Sequence, residues 1–513
     1  MDKFFHIEEG KEVAFYNNAT YCVGTGRMGL ALHKEYQEQL KLVQEEIGFS
    51  HIRGHGLFCD DMAIYQEHKD AQGNVVSEYN FTYLDRVVDD YLSLNIRPFL
   101  ELGFMPEKLA SGDQTVFYWK GNVTPPVSYE KWAALVQETL RHLIKRYGEE
   151  EVTSWPIEVW NEPNLKGFWK DADMKEYFKL YEYTANAIKA VNGNFKVGGP
   201  AICGVNDEVW MAEFLEFVKS SQAPLDFVTR HHYTINPPER EGHYQYVKLA
   251  DPDAGLKELN TTRRIVDSFP EFAGMQIHIT EFNTAYIPDS PLHDTNRNAA
   301  YIAYLLSKLG EDNESYSYWT FGDVFEEQGV PYTPFHGGFG LVANGLVPKP
   351  TFWTFKFFKE LQGKCVCRER ELVLVKKQDK YCGVAWNLNY ENTGEPLNIT
   401  CKLPADNKEY CLVQKIVDES CCNPLKIWHD LGEPANPDSA QLGLIKESAR
   451  PLVKTQRLKG SDGNVAVALE LQQNAVVYFE LFEAPIYSDR GYDYSRVMNS
   501  LDIAVEKNGL KGV

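Results

Sequence analysis

The chain has 513 residues, 43% of them hydrophobic, and a formal net charge of −21 from 52 basic and 73 acidic residues. This length exceeds that of one ordinary domain, although an α/β barrel alone takes about 250 residues or more. The acidic balance argues against nucleic acid or an anionic membrane as a partner, because both are bound through basic patches.

The first ten residues, Met1–Gly10, are charged and contain no long apolar run, unlike a secretory signal. No stretch approaches the roughly 18 apolar residues of a membrane helix. We therefore expect a cytoplasmic protein. Its cysteines lack paired CxxC spacing and a nearby His cluster, so we expect reduced thiols and no zinc site.

Between about residues 20 and 345, short apolar runs alternate with helical patterns of apolar residues at three- and four-residue spacing. The predicted strands are Tyr21–Gly24, Phe49–Gly54, Arg97–Leu102, Ile157–Trp160, Lys196–Pro200, Asp226–Tyr233, Gln276–Phe282 and Ser315–Phe321. The clearest predicted helices are Tyr129–Tyr147, Met174–Val191, Val209–Ser221 and Asn296–Leu309. Eight such repeats predict an α/β fold with a catalytic (β/α)8 TIM barrel over residues 17–362.

The pattern changes after the last predicted barrel helix, Thr351–Leu361, which begins behind Pro350. Strand-like runs separated by turns then predict an antiparallel β-sandwich domain over residues 363–513. These runs are Glu371–Lys376, Tyr381–Asn387, Ile399–Leu403, Tyr410–Val417, Val465–Leu471 and Ala475–Glu480. Within residues 1–16, we expect a strand at Glu12–Tyr16 that joins this sandwich.

Two carboxylates stand at the ends of predicted barrel strands. Glu162 lies in Trp160–Asn164 behind the fourth strand, and Glu281 ends the seventh strand inside Ile277–Asn283. Strand ends at the C-terminal face build the active site of such barrels. A single strand-end Glu commonly forms a salt bridge or caps a helix. Two of them, flanked by Asn and aromatic residues, form the pattern that glycosidic-bond hydrolysis requires.

The surroundings of each carboxyl group predict its role. Trp160, Phe168 and Trp169 lie near Glu162, and an apolar setting raises the pKa of a carboxyl group, so Glu162 is the predicted proton donor. Glu281 is the predicted nucleophile or base. A separation of about 5 Å between the carboxyl groups gives retention and one of about 7–9 Å gives inversion, and the sequence leaves this distance open.

Four segments together resemble family 39 glycoside hydrolases, in their β-xylosidase branch. They are Trp160–Asn164, Thr280–Asn283, Arg53–Asp61 and Gly121–Pro126, and the resemblance runs from about residue 12 to beyond 480. It implies a retaining enzyme that releases xylose from the non-reducing ends of xylo-oligosaccharides. It also implies a homo-oligomer, in particular a tetramer.

The resemblance further assigns Glu162 as acid/base, Glu281 as nucleophile, Asn161 as the hydrogen-bonding partner of the sugar 2-hydroxyl, and His55 as a sugar-binding residue. On the sixth strand, His231 and Tyr233 share one face by the two-residue period, while His232 points to the other. We expect that inward pair to line the pocket.

Further candidates lie in loops and on the last strand. Tyr286, just past the nucleophile, is expected to donate a hydrogen bond to it. Trp319 on the eighth strand offers a flat floor for a sugar ring. Glu326 and Glu327 are predicted to accept bonds from hydroxyls of the terminal sugar, with Glu327 preferred by the resemblance. Phe117 is expected to reach in from the loop Phe104–Val127.

Other functions stay open. An α-L-iduronidase-like enzyme needs Arg or Lys for its acidic sugar, and none follows the seventh or eighth strand motif closely, which favours a neutral pentose. A β-glucosidase or arabinosidase differs only in pocket walls. A non-catalytic sugar-binding barrel would be expected to lack one carboxylate. The sequence shows no cofactor motif and no spaced metal-ligand set, so we expect neither cofactor nor metal.

Overall fold

A computed structural model of the chain describes residues 1–486 apart from 237, 309 and 392, and also residues 491, 492, 494 and 497. Eight parallel strands form a closed barrel in which each strand pairs with its neighbour along the chain and the eighth pairs with the first. The strands are Cys22–Arg27, His51–His55, Arg97–Leu102, Pro156–Val159, Lys196–Ile202, Phe227–Tyr233, Ile277–Asn283 and Ser315–Tyr318. The predicted (β/α)8 barrel is confirmed.

One main helix follows each strand and packs outside the barrel. These helices are Lys34–Glu46, Thr82–Ser93, Tyr129–Tyr147, Met174–Val191, Asp207–Ser221, Pro252–Asp267, Asn296–Ser307 and Pro350–Lys359. Three of these helices have side-chain caps at their N-termini, from Ser128, Asp173 and Asp251; the Asp173 side chain accepts bonds from the backbone N–H groups of Lys175 and Glu176. The predicted helix Asn296–Leu309 ends at Ser307, and residue 309 lies outside the described residues.

Short elements decorate the barrel. Two-stranded sheets are formed by Tyr65–Lys69 with Val75–Tyr79, Thr115–Val116 with Gly121–Asn122, Glu239–Glu241 with Tyr244–Tyr246, and Val342–Ala343 with Val347–Pro348. The remaining helical turns are Met28–Leu32, Asp60–Met62, Glu107–Leu109, Glu149–Thr153, Lys170–Ala172 and Pro291–Asp294. Across the part of the chain that the structure describes, no helix combines the length and the apolar character needed to cross a membrane.

A sheet domain follows the barrel. A six-stranded antiparallel sheet contains Lys364–Glu369, Leu372–Lys377, Lys380–Trp386, Glu409–Val417, Leu452–Lys459 and Val476–Glu483. A three-stranded sheet contains Asp2–His6, Leu397–Pro404 and Asn464–Leu471, and two helices of the same region, Pro424–Asp430 and Ser439–Ser448, share a core with Phe335, Ala343 and Val347. Ile399 and Val467 of the smaller sheet share one core with Leu374, Leu412 and Phe479 of the larger sheet. The two sheets therefore face each other as a β-sandwich.

The inner strands of the six-stranded sheet, such as Leu372–Lys377 and Lys380–Trp386, are largely buried on both faces, whereas its edge strand Leu452–Lys459 is exposed. The second face of the sheet packs on the last barrel helix, where the rings of Phe357 and Tyr478 stack 5.5 Å apart and those of Phe358 and Trp386 lie 6.2 Å apart. The limits at residues 17 and 363 stay predictions, and residues 487–490 and most of those that follow lie outside the described residues.

The expected strand at Glu12–Tyr16 is wrong. That segment contains no strand. The Val13 N–H donates a hydrogen bond to the Cys365 carbonyl, and the Phe15 side chain packs against the core. The N-terminal strand is Asp2–His6, which runs parallel to Leu397–Pro404. Because it contains charged and exposed residues, it lacks the apolar run from which a strand is predicted.

Candidate active site

A cavity of about 380 Å³ opens at the C-terminal ends of the barrel strands. Most of the predicted site residues line it: His55, Phe117, Asn161, Glu162, His231, Tyr233, Glu281, Tyr286, Trp319 and Glu327. It is also lined by Phe168, expected near Glu162, by His232, which was expected to point to the other face of its strand, and by residues that the sequence did not single out: Leu165, Cys203, Gly204, Val205, Arg230, Glu258 and Phe339. The barrel geometry brings these strand ends together because the closed sheet gathers all eight at one rim.

Glu162 and Glu281 face each other across this cavity. Both are buried, at 7% and 4% exposure, and their nearest oxygens lie within 4.8 Å of each other. This separation matches the roughly 5–5.5 Å of a retaining pair and leaves no room for the water of an inverting one.

The two carboxyl groups differ in their electrostatic surroundings. Burial and the charge of Glu281 together raise the pKa of Glu162 well above its usual value. Burial also raises the pKa of Glu281, but Arg53 and a hydrogen bond from Tyr233 act against this rise. The shared proton is thus expected on Glu162 and the negative charge on Glu281, as an acid and a nucleophile require.

Arg53 is hydrogen-bonded to the predicted nucleophile, Glu281. Its Nη1 donates to Glu281 Oε1 at 2.7 Å, its Nη2 donates to Asn161 Oδ1 at 3.0 Å, and its Nε binds Glu158. Nη2 also lies 2.9 Å from Glu101 Oε2, and the guanidinium is fully buried. From the sequence, Arg53 had no role of its own beyond its place in the segment Arg53–Asp61, because an arginine on a strand gives no sign of which carboxylates it will meet.

Tyr233 and His231 contact the carboxylates directly. The Tyr233 hydroxyl donates to Glu281 Oε2 at 2.8 Å, a bond that the sequence assigned to Tyr286. Tyr286 lies at the mouth and is 51% exposed, with its ring edge-on to Tyr233, so that assignment is wrong. His231 Nδ1 is 2.8 Å from Glu162 Oε1 and 3.4 Å from Glu281 Oε2.

The imidazoles of the site are neutral. Burial lowers the pKa of His55 to about 3 and that of His231 well below its usual value. His55 Nδ1 is hydrogen-bonded to Glu101 at 2.7 Å, which fixes its ring with Nε2 3.5 Å from Glu281 Oε1. The His232 ring packs against Gly255 on the sixth helix, where a Cβ would lie 2.8 Å from it, although His232 also lines part of the cavity.

Aromatic side chains wall the cavity. Trp319 packs against His55 with ring centroids 4.6 Å apart, and Phe117 lies 6.0 Å from the same ring. The ring centroids of Phe117 and Phe168 lie 5.3 Å apart, so the loop after the third strand contacts the loop after the fourth strand. These rings present flat apolar surfaces of the kind that sugar rings stack on.

The two acids after the eighth strand point to opposite sides. Glu327 lines the cavity, where burial and the charges of Glu281 and Glu162 raise the pKa of its carboxyl group well above the usual value. Glu326 is not among the lining residues; its Oε2 accepts a bond from Arg27 Nη2 at 2.7 Å. The expectation that Glu326 meets the sugar is therefore not supported by its position.

Metal-ligating atoms do meet in the site, because ligand atoms of Glu162, His231 and Glu281 all lie within 4.8 Å. Hydrogen bonds from Tyr233 and Arg53 already occupy both oxygens of Glu281, however. Metal-free catalysis by the two carboxylates stays a prediction.

A (β/α)8 barrel with paired buried carboxylates at the ends of its fourth and seventh strands has the architecture of a glycoside hydrolase. Comparison with known proteins agrees, since residues 7–466 match the glycosyl hydrolases family 39. The chain belongs to this family, and it is a glycoside hydrolase.

Relatives in the family are similar over nearly their whole length. The chain is 48% identical to a beta-xylosidase of Geobacillus stearothermophilus, covering 93% of this chain and 95% of the relative. It is 36% identical to a beta-xylosidase of Caldicellulosiruptor saccharolyticus, over 88% and 91%. A crystal structure of a monomeric beta-xylosidase from Caulobacter crescentus superposes with a TM-score of 0.85 at 32% identity, over 94% of this chain and all of that one.

Proposed function

We propose that this chain is a retaining, exo-acting β-xylosidase that releases xylose from the non-reducing ends of xylo-oligosaccharides. The observation that carries the proposal is the pair Glu162 and Glu281, buried within 4.8 Å of each other: burial raises the pKa of Glu162 well above its usual value, whereas Arg53 and Tyr233 oppose the rise at Glu281. The names of the similar proteins support the choice of sugar.

The proposed reaction has two displacements at the anomeric carbon. Glu281 attacks that carbon while Glu162 donates its proton to the departing glycosidic oxygen, which yields a covalent α-xylosyl ester on Glu281. Glu162, now ionised, takes a proton from an incoming water molecule, whose oxygen replaces Glu281 at the carbon. The product keeps the β configuration.

Asn161 and the pocket walls are proposed to select the sugar. Arg53 holds the Asn161 carbonyl oxygen at 3.0 Å, which leaves the amide N–H₂ free to turn to the 2-hydroxyl. Glu327 is proposed to accept bonds from hydroxyls of the terminal sugar. The aromatic rings of Trp319 and Phe117 supply the apolar contact.

A sugar carboxylate is disfavoured. Glu162, Glu258, Glu281 and Glu327 all line the cavity, so a uronic acid would bring a fifth carboxyl group among them. Arg53 is held by carboxylates, and Arg230, which lines the cavity, pairs through Nη1 with Asp207 at 2.9 Å, while its buried Nη2 has no hydrogen-bond partner among the described residues. A neutral pentose fits this charge balance better than the iduronidase alternative does.

Initial rates on a panel of aryl glycosides test the proposal. The panel contains 4-nitrophenyl β-D-xyloside, β-D-glucoside and α-L-arabinofuranoside, and 4-methylumbelliferyl α-L-iduronide. We expect the highest kcat/KM on the xyloside, and no turnover by Glu281→Ala on any of them. A faster reaction on another glycoside would show that the enzyme prefers that sugar. If the wild type turned over none of these substrates, a non-catalytic sugar-binding barrel would be the remaining alternative.

Assembly and location are proposals as well. A homotetramer is suggested by the family resemblance alone, and the Caulobacter crescentus relative is described as monomeric. Light scattering distinguishes a particle of 58.7 kDa from one of four times that mass. A cytoplasmic location is supported by the ten cysteines, all described and all free of disulfides. Activity in the lysate of a producing strain and not in its medium would agree with it.

A further inference from the structure

The loop after the eighth strand is anchored at its base by a buried lysine. Lys349 Nζ lies 2.6 Å from both Asp294 Oδ1 and Asp323 Oδ2, and all three side chains are essentially inaccessible. Asp323 Oδ1 also accepts a bond from the Gly340 N–H at 2.7 Å. The start of the loop is thus fixed to the loop before the seventh helix and to the strand that leads into the last helix.

The tip of the same loop is anchored by Arg27, at the end of the first barrel strand. Arg27 Nη2 donates to Glu326 at 2.7 Å, and its Nη1 binds Asp61 in the loop after the second strand. The side chains of Arg27 and Glu326 are only 15% and 12% exposed. Gly29 makes room for the pair, since a Cβ there would lie 2.3 Å from Asp61 Oδ2 and 2.8 Å from Arg27 Nη1.

Glu327 follows directly and faces inward. Its backbone carbonyl accepts a bond from the Tyr118 N–H at 2.8 Å, which joins it to the loop that carries Phe117. Its carboxyl group lines the cavity, where the charged groups that act on it are Glu281 and Glu162. Burial and the charge of Glu281 disfavour an ionised carboxylate at this position, so the inward position of Glu327 depends on the backbone that carries it.

We propose that Arg27 is a positioning residue for substrate recognition: by joining Glu326 to Asp61 it holds the adjacent Glu327 over the cavity and so sets the affinity for the terminal sugar. Arg27 itself touches no reacting atom. The inference rests on the proposed glycosidase function, with Glu327 as a contact of the sugar hydroxyls.

An arginine suits this role because its guanidinium binds two carboxylates at once in fixed directions. A lysine at the same position keeps the charge but has one compact ammonium group, which holds one partner better than two. Since the base of the loop is held independently by Lys349, loss of Arg27 is expected to loosen the tip while the barrel stays folded.

Steady-state kinetics on 4-nitrophenyl β-D-xyloside test the proposal. We expect Arg27→Met to raise KM by about tenfold, the effect of one weakened hydrogen-bonding group, and to change kcat by less than about threefold. Arg27→Lys is expected to recover part of the loss. The matched control is Arg97→Met, which removes an arginine bound to Glu151 by two hydrogen bonds at the opposite end of the barrel. Its KM is expected to equal that of the wild type.

A double-mutant cycle tests whether Arg27 acts through Glu327. We expect Glu327→Gln to raise KM by itself, and Arg27→Met to add nothing measurable in the Glu327→Gln background. Independent, multiplying effects would overturn the proposal, as would an unchanged KM in a folded Arg27→Met variant. A fall in kcat and melting temperature with KM unchanged would make Arg27 merely structural. If the wild-type enzyme had no xylosidase activity, the proposed function itself would be contradicted, before the double-mutant cycle begins.

Discussion

The Tyr233 hydroxyl donates a hydrogen bond to Oε2 of Glu281 at 2.8 Å. Arg53 donates to the other oxygen of the same carboxylate at 2.7 Å. Both oxygens are therefore held before substrate arrives, so the nucleophile keeps one orientation and its ionised form is favoured in spite of burial.

Removal of the Tyr233 hydroxyl is expected to slow the enzyme without unfolding it. For Tyr233→Phe we expect kcat/KM to fall by about 10- to 100-fold, the effect of one lost bond to a charged group. The bond lowers the pKa of Glu281, so its loss raises that pKa. Since catalysis needs the ionised form, the acid limb of the kcat/KM profile should move to higher pH.

Tyr286→Phe is the matched control for that variant, because Tyr286 contacts the Tyr233 ring from the exposed mouth. Its pH profile is expected to overlay that of the wild type. If Tyr233→Phe left the acid limb in place, the bond would have no part in holding the charge on Glu281.

Replacement of Glu162 by glutamine is expected to separate the two steps of the reaction. Turnover of xylobiose, whose leaving group needs a proton, should fall by about 10²- to 10⁴-fold. Cleavage of 2,4-dinitrophenyl β-xyloside needs no proton donor, so a rapid burst of dinitrophenol should remain, followed by slow hydrolysis of the ester on Glu281. Stopped-flow absorbance measures both phases.

The same variant tests the raised pKa of Glu162. Because the acid form is the active one, wild-type activity is present below that pKa and is lost as pH rises through it. On xylobiose, whose leaving group needs the proton, wild-type kcat/KM should show this alkaline limb and the residual kcat/KM of Glu162→Gln should not. An alkaline limb that persists unchanged would assign the titration to another group.

Lys349 is predicted to matter for stability more than for chemistry. Lys349→Met leaves the buried Asp294 and Asp323 without their cation, and removal of one partner from such a cluster costs about 3–5 kcal/mol in the free energy of unfolding. Chemical denaturation checks this. Lys364→Met, which removes an exposed pair with Glu12, should leave the midpoint unchanged.

The sequence predicted the barrel and the catalytic pair because both leave local signals. Several barrel strands, such as Arg97–Leu102 and Pro156–Val159, contain short apolar runs that lie buried, and Glu162 and Glu281 stand near the ends of two such strands. The strand Asp2–His6 leaves no such signal, since it lies at a sheet edge with charged and exposed residues. The helices Pro424–Asp430 and Ser439–Ser448 interrupt a region that otherwise has the strand period.

Polar contacts between residues far apart in the chain could not be predicted from the sequence. Arg53 and Glu281 are 228 positions apart, and Arg27 and Glu326 are 299 apart. Nothing local distinguishes an arginine that binds a nucleophile from one that faces solvent. For the same reason two neighbouring acids, Glu326 and Glu327, received the same expected role, whereas the backbone turns them to opposite sides of the loop.

The most direct test of the account is the reaction of Glu281→Ala with 4-nitrophenyl β-D-xyloside in the presence and absence of azide. We expect turnover to collapse without azide and to return with it, and nuclear magnetic resonance to identify the product as the α-xylosyl azide, because azide enters the space vacated by the carboxylate. Full activity of the folded variant without azide would contradict the assignment of Glu281 as nucleophile, and with it the double-displacement mechanism proposed for this site.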